Sequence, residues 1–420
     1  MRLKGARLPE LLAPAGTPER FHTVLTYGAD AVYLGGHELN LRAKARNFGR
    51  GELEQALQTA HGNKRHLYYC LNALPREGEL RVLHSCLEEL EGLNLDGIIA
   101  ADPGVVSETL RRLPQIPVHL STQANTSNSL AVRFWQSMGV RRINLARELS
   151  LKEIRTIRQS NPDVELEAFI HGAMCLAVSG KCLLSSYLNG RSANRGECTH
   201  PCRFDYRILG MALEERLRPG GPLWEAWEEE GATSLLASDD LCLFPFLAWF
   251  VNNRIDGLKI EGRMKTSSYL APVVDVYSTA LRDLGQGRFR PSLYARELLL
   301  TASRPAGTGF FLPGGRRRRL LAPESGYGQP VVAKLLRREG EAKWLISVRY
   351  RWKAAENVEI LVPGLSRPVL QSGAYRLESE EGHALETVHS GMQACLRADH
   401  PDLREGFLLR LAGSSDSAGR

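Results

Sequence analysis

Four of the chain's eight cysteines, Cys175, Cys182, Cys198 and Cys202, stand inside the segment HGAMCLAVSGKCLLSSYLNGRSANRGECTHPC at 171–202. Their spacing, Cys-x6-Cys-x15-Cys-x3-Cys, admits three chemistries. A structural zinc site usually shows a short paired spacing at each end, whereas here only the last gap is short. A 4Fe-4S cluster takes four thiolates on irregular spacings and needs backbone N–H donors near the sulfurs, which the SGK and NRG stretches can supply. Unligated or redox-active thiols are the third. Spacing alone does not choose among them. The other cysteines do not cluster: Cys70, Cys86 and Cys395 read as small buried hydrophobes, while Cys242 in SDDLCLF has no assignment from pattern.

The cysteines must be positioned by what precedes them. From the start to about residue 262, short apolar runs alternate with amphipathic helical patterns. The runs are ELLAPAG (10–16), AVYLGG (31–36), HLYYCLN (66–72), GIIAAD (97–102), VHLSTQ (118–123), RINLAR (142–147), ELEAFIHG (165–172) and GLKIEG (257–262). Near-continuous apolar strands separated by helices indicate a parallel sheet covered on both faces, and eight such units suggest an α/β fold of the (β/α)8 TIM-like barrel type. A ninth candidate, SLLASDDL (234–241), fits as an insertion between the last two strands. The cysteines begin directly after the seventh run, so they fall at the C-terminal mouth, where barrel enzymes place their chemistry. Thr17-Pro18-Glu19 marks a helix start: an N-cap residue, proline at the first helical position and an acid in the first turn.

Beyond about residue 325 the period becomes two. In AKWLISVRYRWKA, Trp344, Ile346, Val348, Tyr350 and Trp352 share one face and Arg349 and Arg351 the other, the pattern of a half-buried strand. The expected organisation is therefore a barrel over 1–303, a basic Gly/Pro linker over 304–325, a small antiparallel β-barrel domain over 326–413 and a disordered tail over 414–420.

With 420 residues, 43% of them hydrophobic and 24% charged, the chain has ordinary globular composition. The N-terminus lacks a signal-peptide apolar region, and no run approaches a membrane span, so a cytoplasmic location without membrane attachment is expected. A reducing compartment disfavours structural disulfides and moves the cysteine cluster towards metal binding or catalysis. Residues 304–353 hold 12 Lys and Arg against three acids; that segment is +9, leaving −2 for the rest of a chain whose formal net charge is +7. The run Arg316, Arg317, Arg318, Arg319 lies within it, and such asymmetry suggests an anionic polymer as partner or, more blandly, a solvated basic face.

The stretch EAFIHGAMCLAVSGKCLLS (167–185) resembles the signature of the collagenase-like peptidase family U-32, with Val178 where an aromatic is usual. The likeness continues through GRSANRGECTHPCRFDY (190–206), GLKIEGRMKTSSYLAPVVDVY (257–277) and GTGFFLP (307–313), essentially the whole chain. Several members of that family are oxygen-independent hydroxylation proteins. The resemblance implies that Cys175, Cys182, Cys198 and Cys202 hold a 4Fe-4S cluster, with Cys242 as the alternative fourth ligand. Length and the small second domain resemble the type that forms 5-hydroxyuridine at the tRNA wobble position with prephenate as hydroxyl donor. The partners so implied are tRNA or another RNA, a small dicarboxylate co-substrate, and an electron-donor or accessory protein. Other readings are hydroxylation of ribosomal RNA or a ubiquinone precursor, a collagenase-like peptidase, and a non-catalytic RNA-binding protein with a structural metal.

On that resemblance, the mouth needs cations for a dicarboxylate. Arg147 ends the sixth strand, and Lys259, Arg263 and Lys265 line or follow the last; ion pairing with Glu261 or Glu148 is their bland alternative. Glu167 and His171 flank the seventh strand, where His171 would shuttle a proton or hydrogen-bond a cysteine sulfur. Ser121, Gln123 and Asn125, at the end of the fifth, would read a base edge or cap the next helix. Peptidase chemistry has little to stand on: there is no His-Glu-x-x-His and no Gly-x-Ser-x-Gly, and a Cys175–His171 dyad would be consumed by cluster ligation.

Overall fold

The computed structural model describes residues 7–42, 45–174, 177–178, 181–182, 184–185, 191, 198–199, 201–203, 227–229, 232–234, 239–312, 318–323 and 328–413. Cys175, Arg316, Arg317 and the expected tail at 414–420 lie outside these residues.

Seven strands follow one another in parallel, each paired with the next: β1 (Glu10–Pro14), β2 (Ala31–Leu34), β3 (His66–Leu71), β4 (Gly97–Ala100), β5 (Val118–Leu120), β6 (Arg142–Asn144) and β7 (Glu165–Gly172). After a short hairpin of β8 (Trp227–Glu229) and β9 (Ala232–Ser234) come β10 (Asp240–Cys242) and β11 (Gly257–Ile260). β11 pairs in parallel with both β7 and β1 and closes an eight-stranded barrel. These are the eight apolar runs of the sequence. Of the ninth run, residues 235–238 lie outside the described residues, and its end forms β10, which lies antiparallel against the end of β7, outside the ring, and adds β12 (Ala306–Gly307) and β13 (Arg319–Leu321).

The first connecting helix, α1 (Pro18–Thr26), begins as its residues require, with Thr17 Oγ1 accepting from the Arg20 N–H at 3.2 Å. Such a cap stabilises by about 1 kcal/mol. Helices α2 (Arg50–Gly62), α3 (Leu80–Leu90), α4 (Pro103–Arg112), α5 (Ser129–Ser137), α6 (Leu151–Ser160) and α7 (Leu247–Asn252) follow, and α8 (Ser267–Gly285) and α9 (Pro291–Thr301) come after β11.

Inside the ring, Leu12, Ala31, Tyr33, Tyr68, Cys70 and Ile99 form an apolar cluster. Below it, at the N-terminal ends of the strands, lies a charged layer. Glu10 accepts from Tyr68 Oη at 2.9 Å, lies 2.7 Å from His66 Nδ1 and pairs with Arg142, which also holds Glu165. Burial opposes the Glu10 charge, but His66 and Arg142 outweigh it and hold the carboxyl at about 2. Filling the barrel bottom with paired charge reads as stability rather than chemistry.

The C-terminal segment forms an antiparallel eight-stranded sheet curled into half a barrel. Its long strand Val331–Gly340 pairs with Lys343–Val348 on one side and Leu408–Leu411 on the other. Trp344, Ile346, Val348 and Trp352 are buried as their alternation predicts. Tyr350 is not: the strand stops at Val348, the chain bends, and the ring is 52% exposed.

Buried ions fasten this sheet to the barrel. Asp275 of α8 accepts from the Gly364 N–H at 2.6 Å and from Arg367 at 2.9 Å. Glu297 of α9 holds Arg367 at 3.0 Å and Arg410 at 3.1 Å, and Arg410 also pairs with Glu359 at 2.6 Å. Tyr27, the C-cap of α1, donates to the Leu361 carbonyl at 2.8 Å. The two parts therefore pack as one unit.

Candidate active site at the mouth of the barrel

The cysteine segment leaves β7 through Gly172, whose φ of +107° no β-carbon tolerates well; a Cβ there would also meet the Glu261 carbonyl oxygen at 2.6 Å. Arg147 holds the next residue. Its guanidinium lies 4.0 Å from the Phe169 ring centroid and donates to the Ala173 carbonyl at 3.2 Å, two residues before Cys175. Further on, the Leu184 N–H donates to Cys182 Sγ at 3.4 Å, the kind of backbone donor that a ligated thiolate requires. Ser185, fully buried, accepts from the Thr199 N–H at 3.1 Å and stands 3.2 Å from Thr199 Oγ1. The third residue past Cys182 is thus clasped to the residue after Cys198. Cys182, Cys198 and Cys202 are partly exposed and outside any disulfide. Among the described residues, no three His, Cys, Asp or Glu side chains group as a metal site.

Arg263, in the loop after β11, is the feature of the mouth that physics singles out. It is 3% exposed, and among the described residues no carboxylate lies within ion-pair distance of it. Its Nη2 donates to Asn40 Oδ1 at 3.1 Å and Asn47 Oδ1 at 2.5 Å, while its Nε has no hydrogen-bond partner. Gly35 makes the space: a Cβ there would stand 2.9 Å from the guanidinium. A buried cation without a counter-ion is costly, and such a group marks a place built to receive an anion.

The neighbouring cations are placed differently. Lys259 reaches inward, with Nζ 3.2 Å from Glu167 Oε1 and 4.4 Å from the Tyr33 ring centroid. Glu167 accepts from Asn144 at 2.9 Å as well, and its other oxygen is 3.7 Å from Arg142. Glu167 and Lys259 come together inside the barrel. Lys265 lies over the Tyr269 ring at 4.6 Å. Glu261, the expected partner of these cations, pairs instead with Arg42 at 3.1 Å.

His171 faces out of the barrel towards α8. Its Nδ1 is 3.2 Å from Tyr277 Oη and its Nε2 3.0 Å from Tyr269 Oη. Burial lowers its pKa to about 3, so the ring is neutral, and both nitrogens are already engaged by tyrosines. It packs a helix against β7 and offers no nitrogen to a cysteine. Cys242, beside it in the β10–β7 register, is wholly buried 3.8 Å from Tyr277 Oη; burial pushes its thiol up to about 12.

Ser121 caps a local turn by accepting from the Gln123 N–H at 3.3 Å, and Asn125 takes a left-handed conformation with φ +55°. Gln123 is buried, and its Oε1 has no hydrogen-bond partner. Of the arginine run, Arg319 pairs with Asp239 at 3.1 Å, and the Arg318 N–H donates to Thr308 Oγ1 at 3.0 Å. Asn40, Asn47, Tyr269 and Tyr277 escaped notice as site residues. The Gly35-Gly36 pair was the available signal for the Arg263 cradle.

A closed parallel barrel whose strand ends lead into a cysteine-bearing segment and hold a buried guanidinium has the plan of a barrel enzyme. The chain belongs to peptidase family U32, whose sequence profile matches residues 16–319. It is 36% identical over 314 residues to tRNA hydroxylation protein P of Escherichia coli, covering 67% of this chain and 69% of that one. It is 38% identical over 306 residues to tRNA hydroxylation protein P of Helicobacter pylori, covering 72% and 71%. A solved structure of a U32 peptidase superposes with a TM-score of 0.40 at 16% identity, covering 62% of this chain and 96% of that one. No helix among the described residues is long and apolar enough to cross a membrane.

Proposed function

We propose that this chain hydroxylates tRNA without molecular oxygen, forming 5-hydroxyuridine at the wobble position with a small dicarboxylate, prephenate, as hydroxyl donor. One observation carries the reading: the mouth that receives the cysteine segment also holds a buried guanidinium with no counter-ion among the described residues. The tRNA substrate comes from the relatives at 36% and 38% identity, both named as tRNA hydroxylation proteins. Cys175, Cys182, Cys198 and Cys202 would hold a 4Fe-4S cluster, for which the Leu184 N–H and the Ser185–Thr199 clasp are suitable supports. Bound there, the cluster would supply redox and Lewis-acid chemistry.

The chain's own residues do the rest. Arg263 binds one carboxylate of the donor, with Asn40 and Asn47 fixing its plane. Arg147, stacked on Phe169, fixes where the cysteine segment starts. Glu167 and Lys259 neutralise each other beneath the mouth and keep the barrel interior closed. No observation favours proteolysis, since His171 is a neutral ring held between two tyrosines. Nucleoside mass spectrometry of tRNA from a strain lacking the gene tests the proposal: the hydroxylated uridine should vanish, and an unchanged nucleoside profile would reject it.

A further inference from the structure

Five of the twelve cations in the basic segment that suggested a polyanion partner are paired with acids once folded. Lys334 and Arg349 pair with Glu19, Arg337 and Lys343 with Glu339, and Arg319 with Asp239. Among those without such a pair, Arg351 and Lys353 stand two positions apart; neither has an acid within ion-pair distance among the described residues, and both are exposed. Between Arg349 and Arg351 stands Tyr350, 52% exposed, with no hydrogen-bond partner for its hydroxyl among the described residues. An aromatic that alternation would bury has been turned outward beside two uncommitted cations.

The strip is held rigidly from behind. Arg349 is anchored to Glu19 at 2.6 Å, and its carbonyl accepts from Ser390 Oγ at 3.0 Å. Trp352 is wholly buried and donates from its indole to Tyr375 Oη at 2.9 Å. Backbone anchored on both sides of Tyr350 lowers the entropy cost when a planar partner lands on its ring. The strip also lies on the mouth side of the barrel. Glu19 Oε1 accepts from Ser267 Oγ at 3.1 Å, and Ser267 directly follows the loop that carries Arg263 and Lys265.

We infer that Tyr350, Arg351 and Lys353 form a contact for single-stranded RNA: one unpaired base stacks on Tyr350 while the two cations hold the adjoining phosphates. This rests on the tRNA reading above and assigns part of its substrate recognition to the small β-sheet. Such stacking combined with phosphate neutralisation is how proteins commonly grip unstacked loops.

Filter binding of an unmodified tRNA transcript with U at the wobble position, to the full chain, tests it. Tyr350→Ala should weaken binding about tenfold, within the roughly 1–3 kcal/mol that a stacked base contributes. Tyr350→Phe, which keeps the ring, should bind as the parent does. Arg351→Gln with Lys353→Gln should lower the slope of log K against log salt by about 1.4, from roughly 0.7 per single-strand phosphate contact. Parent-like binding by Tyr350→Ala, or an unchanged slope, would overturn this contact while leaving the tRNA reading intact. If the parent chain binds no transcript at all, both fall.

Discussion

Replacing Arg263 by methionine separates two explanations of a buried guanidinium. If it were a structural cation, its loss should unfold the mouth; if it awaits an anion, its loss should cost function and little stability. The structure sets the balance. Arg263 would forfeit two hydrogen bonds, to Asn40 and Asn47, each worth about 1.5–3 kcal/mol because the donor is charged. Against that, methionine removes a desolvated charge with no carboxylate beside it, a penalty of several kcal/mol. The opposing contributions offset to within about 2 kcal/mol, a shift of a few degrees in Tm for a chain of this size. Arg410→Met is the control: it breaks pairs with Glu297 and Glu359 and should cost about 3–5 kcal/mol. Thermal unfolding of parent and both variants, with and without a dicarboxylate, reads the difference. At a hundredfold excess over Kd the ligand should stabilise the parent by about 2.7 kcal/mol and leave Arg263→Met unmoved. The reasoning fails if Arg263→Met unfolds as readily as Arg410→Met, or if the dicarboxylate stabilises both chains equally.

Anaerobically purified protein should be brown and carry iron and sulfide, and Cys182→Ser or Cys198→Ser should lose both, as measured by metal analysis and visible absorbance; a colourless parent reconstituted with iron and sulfide would contradict this. Acid stability should depend on Glu10. Its carboxyl lies at about 2 when folded against 4.5 in the open chain, so its contribution is complete above pH 4.5 and fades as the pH falls towards 2. That window is worth roughly 3 kcal/mol. Glu10→Gln should flatten the unfolding free energy across it in urea titrations, and an unaltered pH profile would show that the charged layer is unimportant.

What the sequence makes legible follows from how far each signal reaches along the chain. All eight barrel strands can be located because a strand buried on both faces is apolar throughout, and that property is local to a few residues. The mouth is legible for the same reason, since the cysteines start where the seventh strand ends. Partners are harder. Lys334 looks like part of a basic patch until Glu19, more than 300 positions earlier, neutralises it, and His171 looks catalytic until Tyr269 and Tyr277, about a hundred positions later, enclose it. No periodicity encodes either meeting. Tyr350 is a third kind of failure: alternation states which face a residue would take if the strand continued, but not that pairing stops at Val348. Each departure brings a residue to where the pattern would not put it, and the two that carry chemistry do so by what they lack. Arg263 is buried where a charge should not be, without an acid; Tyr350 is exposed where an aromatic should not be, without a partner. Folding leaves both unsatisfied within the described chain, and each has the form of half an interaction, one with a small carboxylate and the other with an unpaired base.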